Sequence, residues 1–143
     1  MLIQLDFSAV LASWPLLVRG VVWTMGLTIV GTVLGLLLGT ACAWARARNL
    51  GHRPTALRWA VASYVELVRN TPFIVQLYFV FFGLPALGVK LTPDLASVIA
   101  MVVNLGAYSA EIVRAGIEAT PRGQMEAAQS LALTSRQVFT RVV

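Results

Sequence analysis

Apolar residues fall in long blocks along this chain, and the polar ones are confined to the seams between blocks. From Gly20 to Ala45 no charge occurs in 26 residues. At 1.5 Å rise per residue that stretch exceeds the ~30 Å of a bilayer core, so it predicts a first spanning helix over 20–45. Within it Gly31, Gly35 and Gly39 recur every fourth residue. That spacing stacks them on one helix face, where a second helix backbone can approach closely. Asn49-Leu50-Gly51-His52-Arg53-Pro54 has turn chemistry and ends the helix, with His52 a solvated loop residue. A second helical segment runs from about Thr55 to Phe82, its spanning part over 57–82, polar in its first half and apolar and aromatic in its second apart from Gln76. Gly83-Leu84-Pro85 breaks it, and residues 84–94 form a short link. A third span is expected over 95–113, apolar except for Asn104, Tyr108, Ser109 and Glu111. Residues 1–19 read as an external or interfacial lead-in without the basic start of a signal peptide. Residues 114–143 read as a polar tail.

Composition agrees with lipid as part of the solvent. Hydrophobic residues make up 58% of the 143 and charged ones 12%, where soluble domains carry roughly 25% charge. Mean hydropathy is +0.79. A soluble domain this small needs charge to cover its large surface, so a soluble enzyme or a disordered tail is excluded. The fold class is therefore an all-α integral membrane protein. The net charge of +5 and the pI near 10.4 are to be read by position and not as a nucleic-acid footprint. Arg46, Arg48, Arg53 and Arg58 follow the first span with no acid among them; Arg114, Arg122, Arg136 and Arg141 follow the third. The 84–94 link holds only Lys90 and Asp94. An arginine excess marks cytoplasmic segments, which predicts the N-terminus outside and the C-terminal segment inside.

Few polar groups stand in or beside the spans. Glu66 and Arg69 are three residues apart, as are Glu111 and Arg114, so each pair shares a helix face. For Glu66, Arg69 and Glu111 two readings stay open: facing a bundle interior or water-filled path, or resting at the interface with tips in water. Arg114, at a span end, is expected to snorkel. Asn70-Thr71-Pro72 predicts a kink, since Pro72 removes one backbone donor and Thr71 or Asn70 can bond the freed carbonyl. Phe73, Tyr78, Phe79, Phe81 and Phe82 read as lipid contact. In the tail, Thr120-Pro121 signals one short helix and Thr134 with Gln137 a capping box that starts another. Such helices suit insertion into a partner's groove; an ordinary polar tail remains the alternative. The single cysteine, Cys42, has no partner for an internal disulfide. No metal-ligand spacing, nucleophile–base pair or phosphate-cradling glycine loop occurs, so any ATP is bound by another chain.

Three runs together resemble one family. Tyr64 to Leu77 (YVELVRNTPFIVQL), Ala107 to Ile117 (AYSAEIVRAGI) and Pro121 to Ala128 (PRGQMEAA) are similar, in order and spacing, to the second-span, third-span and EAA-loop motifs of polar amino-acid permeases of ABC importers. The resemblance, to the histidine/glutamine/glutamate/arginine/opine group, covers nearly the whole chain. It implies a non-enzymatic membrane subunit that passes a polar amino acid inward. The implied partners are a second permease subunit, identical or paralogous, a cytoplasmic ATPase dimer that binds ATP, and an extracytoplasmic solute-binding protein. Coupling to the ATPase would rest on Gly123, Gln124, Glu126, Ala127, Ala128 and Ala132. Glu66, Arg69, Asn70, Thr71, Pro72, Gln76, Asn104, Tyr108 and Glu111 are the candidate pathway or structural polar residues. The family pattern has glycine where Ala132 stands, which predicts a less free turn. It also implies a five-span core, of which three spans lie here; the end at Val143, inside an amphipathic run, reads as that of an N-terminal fragment. A membrane adaptor that docks a cytoplasmic partner without transport is the alternative from another class.

Overall fold

The computed structural model describes residues 7–48 and 56–142, and every regular element among them is helical. The turn expected at Asn49–Pro54, with His52, lies outside the described residues. Helix α1 spans Ser8–Ala12 and α2 Trp14–Arg48. Helices α3 (Ala56–Arg69) and α4 (Phe73–Tyr78) follow, then a π-helical turn (Phe79–Gly83) and a single turn α5 (Leu84–Ala86). Helix α6 covers Pro93–Glu118, α7 Arg122–Ser130 and α8 Ser135–Arg141. Two of these, over 14–46 and 93–118, are long and apolar enough to cross a membrane. Helix α2 starts at Trp14, so the expected lead-in over 1–19 is not separate from it there. Gly20 does not interrupt the helix, because the helical backbone tolerates glycine when nothing competes for its hydrogen bonds.

The glycine groove is the seam of the molecule. A Cβ added at Gly31 would stand 3.1 Å from Met101 Cβ, one at Gly35 2.6 Å from Leu105 Cβ, and one at Gly39 2.5 Å from Ser109 Cβ. Each four-residue step up α2 matches a four-residue step up α6, so the two helices run parallel, backbone nearly on backbone. Gly106 completes the seam from the other side, beneath Leu38 and Tyr64. Accordingly the core is made of small residues: Ala43, Ala96, Ala100, Ala107 and Ala110 are buried, while Val22, Ile29, Leu37 and other large apolar side chains of α2 face outward. That inversion of the soluble pattern suits a lipid surround, where close packing and not water exclusion drives helix association. Thr92 caps α6 by accepting from Leu95 N–H at 3.3 Å, with Pro93 at the first helical position and Asp94 in the first turn.

Parallel neighbours need a return path, and α3 to α5 supply it. Helix α3 lies on α6 through Val61 and Val65, which cluster with Ala110 beside Cys42 and Tyr64. The Tyr64 hydroxyl donates to Val103 C=O at 2.6 Å. The expected kink at Asn70-Thr71-Pro72 is a full corner: α3 and the 73–86 segment meet at 108°. The 57–82 stretch is therefore two pieces and not one bent rod. Pro72 is extended, at ψ 139°, so the α-ladder stops instead of merely losing one rung. Beyond it, Tyr78 and Phe82 rings meet tilted with centroids 4.5 Å apart and Phe81 meets Phe82 edge-on at 4.8 Å, all exposed as a lipid-facing surface requires.

The seam makes a direct prediction for stability. Gly39→Ala places a methyl against Ser109 and against the backbone of Gly106 and Ala110, atoms that cannot swing away. It is expected to destabilise the helix pair by about 2 kcal/mol, within the usual ~1–3 kcal/mol range for overpacking. Gly26→Ala, with open space around it, is expected to change stability by less than about 0.5 kcal/mol or to gain slightly from helix propensity, at most about 1 kcal/mol. Unfolding titrations in mixed micelles compare the two; equal stabilities would contradict the seam.

Candidate functional site

Because α2 and α6 are parallel, their C-terminal ends lie together, and the charges of both fall at one end of the molecule. Arg46 comes from the last turn of α2, Arg69 from the last turn of α3, and Glu111 from α6. With Glu66, Asn70 and Tyr108 they line a cleft of about 440 Å³. Glu111 is its hub. Arg114 grips it in a fork, Nε to Oε2 at 3.0 Å and Nη2 to Oε1 at 2.5 Å. Arg69 Nη1 approaches Oε1 at 3.5 Å and Arg46 Nη1 approaches Oε2 at 3.9 Å. One carboxylate thus draws guanidinium groups from three helices, and the short fork within α6 fixes its direction for the two longer contacts. The Arg69 guanidinium also stands over the Tyr108 ring, 5.9 Å from its centre, within cation–π reach.

The candidate residues divide accordingly. Glu66 and Arg69 do share a face, and that face lines the cleft; yet Arg69 pairs with Glu111, and Glu66 enters no ion pair among the described residues. Arg114, expected to snorkel, is instead committed to Glu111 and to Glu118. A carboxylate one turn on either side captures it before water does. Thr71 does bond a carbonyl at the break, but its hydroxyl takes Leu67 C=O at 2.7 Å. The Val68 carbonyl, which Pro72 deprives of its i+4 donor, accepts Thr71 N–H at 3.3 Å and the Gln76 carboxamide at 2.8 Å. Asn104 Nδ2 in turn donates to Gln76 Oε1 at 3.2 Å. Arg46 was legible only as a loop charge; its place as the first charge after an uncharged helix was the available signal. Tyr64 carried no such signal, since its partner is a backbone carbonyl 39 residues away.

The polar tail is ordered differently from the cleft. Thr120 does not cap α7; the N-cap is Pro121, whose own C=O accepts Gln124 N–H at 3.0 Å. The expected capping box is present at α8: Thr134 Oγ1 accepts Gln137 N–H at 3.4 Å and Gln137 Oε1 accepts Thr134 N–H at 2.9 Å. Gly123, Gln124, Glu126 and Ala127 are exposed along α7, whereas Ala128 is buried. Gln124, Ala127, Ala128, Leu131, Leu133 and Arg141 border a groove of about 490 Å³. Between the helices Ala132 sits at φ 52°. Its N–H bonds Gln129 C=O at 2.9 Å and Leu133 N–H bonds Ala128 C=O at 3.1 Å, the paired closure of a helix end that favours glycine.

Comparison with known proteins now decides the family. The sequence profile described as "Binding-protein-dependent transport system inner membrane component" matches residues 35–143. The chain belongs to this family. It is 40% identical over 130 residues to the L-cystine transport system permease protein TcyB of Bacillus subtilis, covering 91% of this chain and 54% of that one. It is 37% identical to the arginine transport system permease protein ArtQ of the same organism, over 90% of this chain and 57% of the relative. It is 30% identical to the glutamine transport system permease protein GlnP of Escherichia coli K12, over 98% and 63%. Among solved structures, an amino acid ABC transporter crystallised with histidines superposes with a TM-score of 0.86 at 33% identity, covering 99% of this chain and 64% of that one. The MetNI methionine ABC transporter shares the fold, with a TM-score of 0.67 at 24% identity over 92% of this chain and 62% of that one. The chain spans between half and two thirds of the length of these permeases. Their fold is the one expected from the resemblance.

The alanine at the family's glycine position gives a quantitative test. A left-handed alanine costs ~1–2 kcal/mol relative to glycine, partly offset by ~0.4–1 kcal/mol of extra chain freedom in the unfolded state. Ala132→Gly is therefore expected to steady the α7–α8 turn by about 0.5–1 kcal/mol. Amide exchange at Leu133 should slow roughly two- to fivefold. Faster exchange would contradict the assigned turn.

Proposed function

We propose that this chain is a permease subunit of an ATP-binding cassette importer and passes a polar amino acid inward. The observation that carries the reading is the run of α6. It extends unbroken from Asn104 in the packed bundle, through the Glu111 hub, to Glu118. After three intervening residues the exposed helix α7 begins. A displacement of α7 therefore reaches the cleft through one rigid rod with a single joint at Ala119–Pro121. In this reading α7 docks a cytoplasmic ATPase dimer, with Gly123, Gln124, Glu126, Ala127, Ala128 and Ala132 at the contact. The chain itself catalyses nothing. A second permease subunit lines the other half of the path, and a solute-binding protein delivers cargo outside.

Orientation follows from charge and geometry together. The basic segments 46–58 and 114–141 leave the parallel α2 and α6 at the same end, and an arginine excess belongs in the cytoplasm. We place the N-terminus outside, the tail inside, and the α3–α5 return as a third, broken crossing of a plasma or inner membrane. The cargo is a polar amino acid because the relatives are named for cystine, arginine and glutamine. The cleft is consistent with such a cargo, since it presents both guanidinium groups and a carboxylate.

The test is a charge reversal at the docking helix. Glu126 is exposed and lies outside the apolar spans, so Glu126→Lys should leave membrane insertion unchanged. Like charges brought together at an interface cost several kcal/mol. In the assembled transporter, ATPase association and ATP-driven uptake of labelled amino acid are expected to fall at least tenfold together. Undiminished association and uptake would remove α7 from the coupling surface. An adaptor without transport would lose association while showing no uptake even unmutated.

A further inference from the structure

The corner between α3 and α4 is sharper than a missing hydrogen bond explains. Proline kinks exceed about 20°, and a side chain inserted into the helical ladder can widen them; here the two pieces meet at 108°. Several carbonyls lose their i+4 partners at this corner, Val68 and Thr71 among them. Val68 C=O would accept from residue 72, which is proline and has no N–H; Thr71 N–H reaches it instead, at 3.3 Å. Thr71 C=O should accept from Val75 N–H, which instead bonds Pro72 C=O at 3.0 Å. Gln76 Nε2 donates to both, at 2.8 Å to Val68 C=O and 2.8 Å to Thr71 C=O. One carboxamide nitrogen thus bridges the last turn of α3 and the residue before Pro72. The remaining acceptor, Oε1, receives Asn104 Nδ2 from α6 at 3.2 Å.

The chemistry of this clasp is selective. Two carbonyl oxygens on one side require the amino end of the carboxamide there, and the donor on Asn104 fixes the flip from the opposite side. Glutamate offers no donors, methionine offers neither donors nor an oxygen acceptor, and asparagine is one methylene short. We propose that Gln76 is a positioning residue. Its carboxamide, oriented by Asn104, holds the corner of the broken helix open and so sets where Arg69 and Asn70 stand in the cleft opposite Glu111. Pro72 permits the corner; Gln76 maintains it. The consequence for transport rests on the proposed function, but the geometry can be read without any transport.

The experiment uses the assembled transporter in lipid nanodiscs, with Cys42→Ala removing the chain's one cysteine. Spin labels are attached at exposed positions, Ala60 on α3 and Leu87 past α5, and their separation is measured by pulsed electron resonance. A continuous helix between these sites would span about 40 Å; the corner holds them far closer. Pro72→Ala alone is expected to keep the short distance, because the clasp remains. Gln76→Met, which preserves volume but not hydrogen bonding, should broaden the distribution at least twofold. The double variant Pro72→Ala/Gln76→Met should move toward the long distance, since residue 72 regains its N–H and the clasp is gone. A Pro72→Ala variant that lengthens as far as the double variant would overturn the proposal. So would a Gln76→Met distribution as narrow as the unmutated one. Uptake measured alongside should fall in Gln76→Met with ATPase association retained; short, clasp-dependent distances without any uptake would count against the transport reading alone.

Discussion

Everything in this molecule hangs on how closely α2 and α6 approach. Three glycines at four-residue spacing let the two backbones close in, and a β-carbon at each would crowd the β-carbons of Met101, Leu105 and Ser109. In lipid no water is released when apolar faces meet, so association depends on contact made over a long, smooth seam. A seam of small residues provides that contact only if the helices keep register over several turns. The register observed is parallel, and this single choice of direction distributes the rest. It obliges the chain to return through α3–α5, and it gathers the arginine-rich helix ends on one side.

The polar groups follow from that arrangement. A carboxylate such as Glu111 is costly in or near a membrane unless it is paired. Parallel α2 and α6 bring Arg46 within 3.9 Å of it, and the corner after α3 brings Arg69 within 3.5 Å. The hub is therefore a product of the seam and the corner together. It ties three helices at the end from which α6 continues toward the exposed α7. The proposed transport role fits such a layout: packing of small residues along most of the bundle, with charge-paired and hydrogen-bonded contacts at one end. Ion pairs at 3.5–3.9 Å can be exchanged for others without dismantling an apolar core.

Local signals in the sequence carried much of this. The glycine spacing, the Thr134–Gln137 capping box and the proline break are all set by residues within a few positions of one another, and each is found in the structure. The constraint on Ala132 was legible through the resemblance alone, which has glycine at that position; the structure gives its reason in the left-handed φ of 52°. What stayed hidden depended either on distant partners or on a choice between local ones. Gln76 looked like a stray polar residue in an apolar run until α6 placed Asn104 beside it. Arg114 looked like a snorkelling end charge, although Glu111 and Glu118 flank it one turn away on each side. Thr120 looked like a cap, yet the chain enters α7 from Pro121, whose fixed φ already suits a cap. The angle at residues 70–72 was beyond sequence reasoning altogether: proline announces a break but not how far it opens.

The parallel seam is tested most directly by disulfide trapping in the membrane. In a Cys42→Ala background, paired cysteines replace Gly31 with Met101, or Gly39 with Ser109. Mild oxidant is then added to membranes carrying the assembled protein. Both pairs bring β-carbons to 3.1 Å or less, close enough that a slight separation reaches the ~3.8 Å typical of a disulfide. The account predicts rapid cross-linking of both pairs and none of the exchanged pairs, Gly31 with Ser109 and Gly39 with Met101. Cross-linking of the exchanged pairs, with the matched pairs unreactive, would mean antiparallel helices and would contradict the fold, the charge hub and the function built on them.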